Sequence, residues 1–217
     1  MDIWKLGRVD IGYLDSLLME NRLPKSVPAS VLQGLPLDHL QQWCVRRGVY
    51  QIVTDELLEW LAQRIRGRVA IEICAGHGTI GRALGIMRTD SYMQTRPEIK
   101  AYYAKIRQAT IQPPPDVVCK DANAIVQMLK PEVVIGAWVT QKWMPGDDQG
   151  SVEGVDELAL VATGTTYIHI GNDKSHGYKR LMREAHDHHY FPWLFSRGQH
   201  PEQNHLCVWP REEPRCK

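Results

Sequence analysis

Residues 69–81 read Val-Ala-Ile-Glu-Ile-Cys-Ala-Gly-His-Gly-Thr-Ile-Gly. Val69 to Ala75 is a short, β-branched apolar run broken only by Glu72, and it stops abruptly at Gly76, Gly78 and Gly81. Thr79 then leads into Ile80-Gly81-Arg82-Ala83-Leu84, so the stretch predicts a buried strand, a tight turn and a helix N-terminus. The glycines meet the G-x-G-x-x-G spacing of a nucleotide-binding turn, where backbone must approach a ligand closely. Glu72 sharpens that reading. A carboxylate buried in an apolar strand is costly unless it finds a partner or a proton. Beside such a turn it points to a ligand that carries a donor or a positive charge.

Downstream, short apolar runs alternate with helical ones. Strands are expected at 69–75, 86–89, 117–120, 132–140 and 165–170, with helices at 79–84, 97–109, 124–129, 155–162 and 175–186. Two last strands, at 190–195 and 205–209, are joined by a polar loop rather than a helix. Five strand–helix alternations followed by a hairpin predict an α/β, Rossmann-like, mostly parallel sheet with an antiparallel C-terminal edge hairpin. Upstream, a short helix is expected at 11–20, then a proline-marked stretch at 23–28. From 37 to 66 the pattern is helical: Leu40, Trp43 and Cys44 share one face, and Leu57, Trp60, Leu61 and Ile65 repeat the spacing. Thr54 suits the N-cap of the second helix and Gly67 its close. Residues 1–67 therefore read as an N-terminal helical extension covering the sheet, and 68–217 as the ligand-binding domain.

Composition excludes several classes. Hydrophobic residues at 43% and charged residues at 24% are ordinary for a globular protein, and a net charge of +1 does not indicate a nucleic-acid partner, while leaving a local basic face open. No apolar run is long enough to span a bilayer, so no membrane partner is expected. Asp2, Lys5, Arg8 and Asp10 enclose no apolar core of a secretory signal. Cys44, Cys74, Cys119, Cys207 and Cys216 are scattered and form no C-x-x-C pair, which predicts a reduced, cytoplasmic protein.

In these features residues 68–210 resemble the class I S-adenosylmethionine-dependent methyltransferases. Glu72, Gly76 and Gly78 match that family's acid-x-x-x-Gly-x-Gly motif, with Ala75 and His77 inside the same turn. Asp90, followed by Ser91, is similar to the acid that binds the ribose hydroxyls; Asp121-Ala122 looks like the acid and small residue at the adenine amino group. Gly136 lies on the fourth strand, which the resemblance assigns to the catalytic face. The implied cofactor is S-adenosyl-L-methionine, a phosphate-free cation. Asp90 follows Gly76 closely, so the first helix must be short. No Asn-Pro-Pro-Tyr and no Pro-Cys nucleophile occurs, so the methyl acceptor is not encoded in any motif.

Asn172, Asp173 and His176, just after the fifth strand, are the candidate general bases; a histidine titrating near neutrality suits proton removal from an acceptor. Asp147, Asp148, Glu153, Asp156 and Glu157 read as a solvated loop or as lining of the acceptor pocket, and Trp138 and Trp143 as walls of that pocket or as packing. His186, His188 and His189 lack the i, i+4 spacing of a zinc helix, so no metal is assigned. Two alternatives remain: a catalytically silent adenosylmethionine-binding or regulatory protein, and, on the glycines alone, an NAD-dependent oxidoreductase.

Overall fold

The computed structural model describes residues 10–210, so Asp2, Lys5, Arg8 and Cys216 lie outside the described residues. In chain order the elements begin with α1 (Gly12–Leu18), β1 (Met19–Glu20), β2 (Leu23–Pro24), α2 (Ala29–Leu32), α3 (Leu37–Arg47), β3 (Gln51–Ile52) and α4 (Asp55–Ile65). The nucleotide-type turn joins β4 (Ala70–Ile73) to α5 (Thr79–Leu84), followed by β5 (Met87–Asp90), α6 (Pro97–Lys105), β6 (Val118–Cys119), α7 (Ala122–Leu129) and β7 (Val133–Ala137). The remainder is α8 (Glu157–Val161), β8 (Thr166–Asn172), α9 (Asp173–His176), β9 (Asp187–Tyr190), β10 (Phe195–Ser196) and β11 (Asn204–Trp209).

Seven strands form one sheet in the order β6-β5-β4-β7-β8-β11-β9. The first five are mutually parallel, and β11 runs antiparallel between β8 and β9. The fold is therefore the expected α/β, Rossmann-like sheet with an antiparallel edge. Strand order turns back at β4 and β7, and in open α/β sheets ligands bind beyond the carboxyl ends of such strands.

The period-2 alternation of the strands builds both layers. On one face Val133, Ile135, Ile168 and Ile170 meet Leu57 and Leu61 of α4 and Ile80 of α5. On the other, Ile71, Ile73, Val134 and Tyr167 meet Ile125 and Val126 of α7 and Leu160 of α8. α4 thus covers the sheet as expected, its Thr54 Oγ1 accepting from the Leu57 N–H as an N-cap. The earlier helices do something else. Leu40, Trp43 and Cys44 of α3 close a separate core with Leu14, Leu18, Leu32 and Ile52, against which Phe195 packs.

Three expected elements are corrected. The strand expected at 190–195 runs instead over Asp187–Tyr190; Pro192 offers no ladder N–H, and Phe195–Ser196 pairs away with Gln51–Ile52. The helix expected at 175–186 is only Asp173–His176, broken at Gly177 and followed by a 3-10 turn at Arg180–Arg183 that puts Lys179 indoors. The strand expected at 117–120 shrinks to Val118–Cys119, because the Val117 N–H is turned back onto the Pro114 carbonyl and Asp121 already caps α7. No described helix is long and apolar enough to cross a membrane.

Candidate functional site

The turn after β4 is held by backbone that few side chains tolerate. Cys74 and Gly76 sit at φ 50° and 52°, and Gly78 at 68°. Its amides are spent internally: Ala75 N–H donates to the Thr89 carbonyl, Gly78 N–H to the Ala75 carbonyl, and Gly76 N–H to Asp90 Oδ2 at 3.0 Å. A phosphate cradle needs such amides free. Asp90 accepts a second amide, from Tyr92, and burial raises its pKa against those two hydrogen bonds.

Glu72 points from β4 onto α5. Its Oε2 accepts the Gly81 N–H at 2.8 Å, and the side chain is 3% exposed. Burial pushes its pKa up to about 8, with the Gly81 hydrogen bond and Arg88 pulling the other way. Gly81 is required for this contact, since a Cβ there would lie 2.7 Å from Glu72 Oε2. Gly78 has a different duty: a Cβ would strike Val117 and Arg88, so it seats the turn against the neighbouring strand.

Three cavities adjoin at the carboxyl ends of β4, β5 and β7. The first, about 70 Å³, is lined by Glu72, Ala75, Gly76, His77 and Ala137 below and by Gly48–Gln51 above. The second, about 150 Å³, holds Asp90, Ser91, Gly76, Ala137 and Trp138. The third, about 300 Å³, lies between Trp138, Asn172, Lys174 and Arg197. Tyr50 lines all three. Its hydroxyl accepts from Gln108 at 2.8 Å, and the Arg197 guanidinium lies 4.4 Å from its ring centroid. Taken together the cavities reach the low end of the roughly 300–1,000 Å³ of small-molecule sites.

Other expected residues separate. His77 Nε2 meets the Arg47 carbonyl at 3.1 Å, and burial lowers its pKa, so it is a neutral donor tying the turn to α3. Asp121 caps α7 through the Ala124 N–H and lies beside Ser91 in an outer groove, whereas Ala122 is in the core. Gly136 makes room for Tyr167 and Val139 rather than for a ligand, and Ala137 takes the cleft side. Trp138, at φ 55°, walls two cavities, while Trp143 is 42% exposed and bonds the Asp147 carbonyl.

The three candidate bases are engaged within the fold. Asn172 donates to the His200 carbonyl and to Asn204 Oδ1, and accepts the Lys174 N–H. His176 takes the Asn172 N–H on Nδ1 and stacks edge-on against Trp138; burial drives its pKa well below the ordinary histidine value. Asp173 turns away to His205 and Tyr190.

Behind them lies a buried polar chain, which corrects the reading of Glu157 as a solvated loop residue: it opens α8 and is 3% exposed. Lys179 Nζ donates to Glu157 Oε1 at 2.9 Å and contacts His169 Nε2 at 2.9 Å, while Tyr167 donates to the same Glu157 oxygen at 2.7 Å. Both ends of the Glu157–Lys179 pair are almost fully buried. Burial, reinforced by the Lys179 charge, holds His169 neutral. The available signal was His169 in an otherwise apolar strand, alternating in phase with Tyr167.

No protein-family profile matches the chain, and no curated protein matches it. Among solved structures, a hypothetical protein of Thermus thermophilus is 16% identical, with 84% of this chain and 90% of that chain covered at a TM-score of 0.36. A Thermoplasma acidophilum protein is 13% identical, covering 70% of this chain and 85% of that one at a TM-score of 0.32. Scores this low carry no functional argument, and the residues must supply it.

Proposed function

We propose that the chain is an S-adenosylmethionine-dependent methyltransferase whose donor lies over the β4 turn. The observation that carries this reading is the chemistry of the turn. Its amides at 75, 76 and 78 are already bonded, with the Asp90 carboxylate on Gly76, and Glu72 lines the cavity. Such a site offers the Asp90 carboxylate and, in Glu72, a buried carboxyl that a bound cation would ionise, which suits an ammonium and a sulfonium and not a pyrophosphate. The same feature opposes an NAD-dependent oxidoreductase. The antiparallel β9–β11 pair also supplies the terminal hairpin that the resemblance calls for.

In this reading Glu72, Ala75, Gly76 and His77 surround the amino-acid end, Asp90 and Ser91 take the ribose, and Asp121 stands on the adenine side. The acceptor enters the cavity between Trp138 and Asn172. Methyl transfer is an in-line displacement, so the protein's task is to align donor and acceptor and keep water out. The described part of the N-terminal extension, residues 10–67, brings its Gly48–Gln51 segment over the donor as a roof. Cys44, Cys74, Cys119 and Cys207 are all unpaired, which suits a reducing cytoplasm.

One observation favours a silent adenosylmethionine-binding protein instead: Asn172, Asp173 and His176 are all committed to structural hydrogen bonds. Thermal-shift titration with S-adenosylmethionine, S-adenosylhomocysteine and NAD tests the donor. The two adenosyl compounds should stabilise the protein by about 2.7 kcal/mol at a hundredfold excess over Kd. Stabilisation by NAD alone, or by none of the three, refutes the assignment. Binding without turnover across RNA, DNA, protein and small-molecule acceptors selects the silent reading.

A further inference from the structure

The antiparallel edge gathers side chains that the donor site does not use. His186 lies just before β9 and His188 on it, and β11 carries His205-x-Cys207. In a strand, residues two apart share a face. The register sets Cys207 opposite His188 and His205 opposite Tyr190, so His188, Tyr190, His205 and Cys207 all project on one side. Asp173, just past β8, reaches the same place. Asp173, His188 and His205 each present one donor atom, all within 4.8 Å of one another.

We propose that these three residues form a site for a first-row divalent metal ion of the zinc type, with Asp173 Oδ1, His188 Nε2 and His205 Nδ1 as ligands. His205 Nδ1 lies 2.6 Å and His188 Nε2 3.5 Å from Asp173 Oδ1. Bonds of about 2.0–2.2 Å to one tetrahedral ion set ligand atoms roughly 3.2–3.6 Å apart, so small side-chain shifts complete the site. The His205–Asp173 contact alone is an ordinary hydrogen bond. His188 is the telling member, because at 3.5 Å it approaches the same oxygen without a good hydrogen bond of its own.

The surroundings fit a ligand set. His205 is fully buried on a strand paired on both sides, which fixes one ligand. Tyr190 donates its hydroxyl to Asp173 Oδ2 at 2.7 Å, orienting the carboxylate as outer partners do in metal sites. His188 sits on the edge strand and Asp173 is one-third exposed, which leaves a path for the ion and open positions for water. Two imidazoles and a carboxylate suit Zn²⁺ or Fe²⁺ rather than Ca²⁺ or Mg²⁺. Ligation through Nδ1 requires the neutral His205 ring to carry its proton on Nε2, a buried atom without a hydrogen-bond partner in the structure, in place of the Nδ1–H now donated to Asp173. A second triplet, His186, His188 and Cys207, shares His188 through its other nitrogen, Nδ1, which is 3.3 Å from His186 Nε2. It contains a thiol and no carboxylate, so the two sets are distinguishable by spectroscopy.

The test is calorimetric titration of EDTA-treated, dialysed protein with Zn²⁺, paired with Co²⁺ absorption. One equivalent should bind, and Co²⁺ should give visible ligand-field bands without a thiolate charge-transfer band. His188→Ala, on the exposed edge strand, and Asp173→Asn should each weaken binding at least tenfold while circular dichroism stays unchanged. His186→Ala should leave affinity within about twofold. Absence of stoichiometric binding to the wild type overturns the proposal, as does binding indifferent to both His188→Ala and Asp173→Asn. A thiolate band, or loss of binding in His186→Ala, moves the ion to the other triplet and overturns the ligand assignment.

Discussion

Replacing Glu72 with Gln tests the feature on which the donor assignment rests. The amide keeps a carbonyl oxygen for the Gly81 N–H but cannot ionise. Glu72 has its native pKa raised from 4.5 to about 8, chiefly by burial. The native state therefore holds a proton between those values that the unfolded chain has released, so stability falls as pH rises through this window and levels off above it. At about 1.4 kcal/mol per pH unit, moving the carboxyl from 4.5 to about 8 costs the native state on the order of 5 kcal/mol above that pH. Urea denaturation of wild type and Glu72→Gln between about pH 5 and 8 isolates this term, because other titrating groups cancel in the difference. The stability gap should be small at the acid end and should widen in favour of Gln by several kcal/mol at the alkaline end. Saturating S-adenosylmethionine should flatten the wild-type decline, since a neighbouring cation favours the carboxylate. Parallel curves across the window would refute the argument, showing that Glu72 is ionised and solvated in the native protein.

Two further substitutions probe the same physics. Gly81→Ala places a Cβ 2.7 Å from Glu72 Oε2, and it should destabilise by roughly 1–3 kcal/mol. Adding Glu72→Ala should recover part of that loss, and a double mutant as unstable as the sum would place the strain elsewhere. Lys179→Met strands the Glu157 carboxylate, which its partner reaches at 2.9 Å in full burial, and should cost about 3–5 kcal/mol in denaturant unfolding. The double variant Glu157→Gln with Lys179→Met should be more stable than Lys179→Met alone; the reverse order would mean the pair is not the buried partnership described.

The sheet was legible because its evidence is local. Apolar runs of four to six residues, each closed by a turn residue, mark β4, β7 and β8, and Thr54 and Asp121 cap their helices through their own side chains. What failed to show was any element whose form is set from outside. β3 and β10 are two residues each and exist because they pair with each other. The helix expected after β8 is cut at Gly177, because the chain must turn to deliver Lys179 to Glu157 far along the sequence. Propensity cannot register that pull.

The site divides along the same line. The turn, Glu72 and Asp90 come together because they sit at the ends of adjacent parallel strands, and strand order alone makes them neighbours. Tyr50, Ile111 and Arg197 also border the cavities, yet they arrive from an N-terminal loop, a long connection and the C-terminal segment, with no spacing that relates them. The histidines show how the assumed period decides what is seen. Tested for helical spacing, His186, His188 and His189 scatter their donors and yield no metal site. At a strand's period of two, His186 and His188 share a face, and the same period aligns His205 with Cys207 on the strand opposite. His169 follows from this too, since it alternates with Tyr167 on β8 and faces Cys207 across the pair. Once β8, β9 and β11 are set in register, the polar residues of three separate segments occupy one side of the sheet. Their burial there requires the partners that Lys179, Glu157 and Asp173 supply.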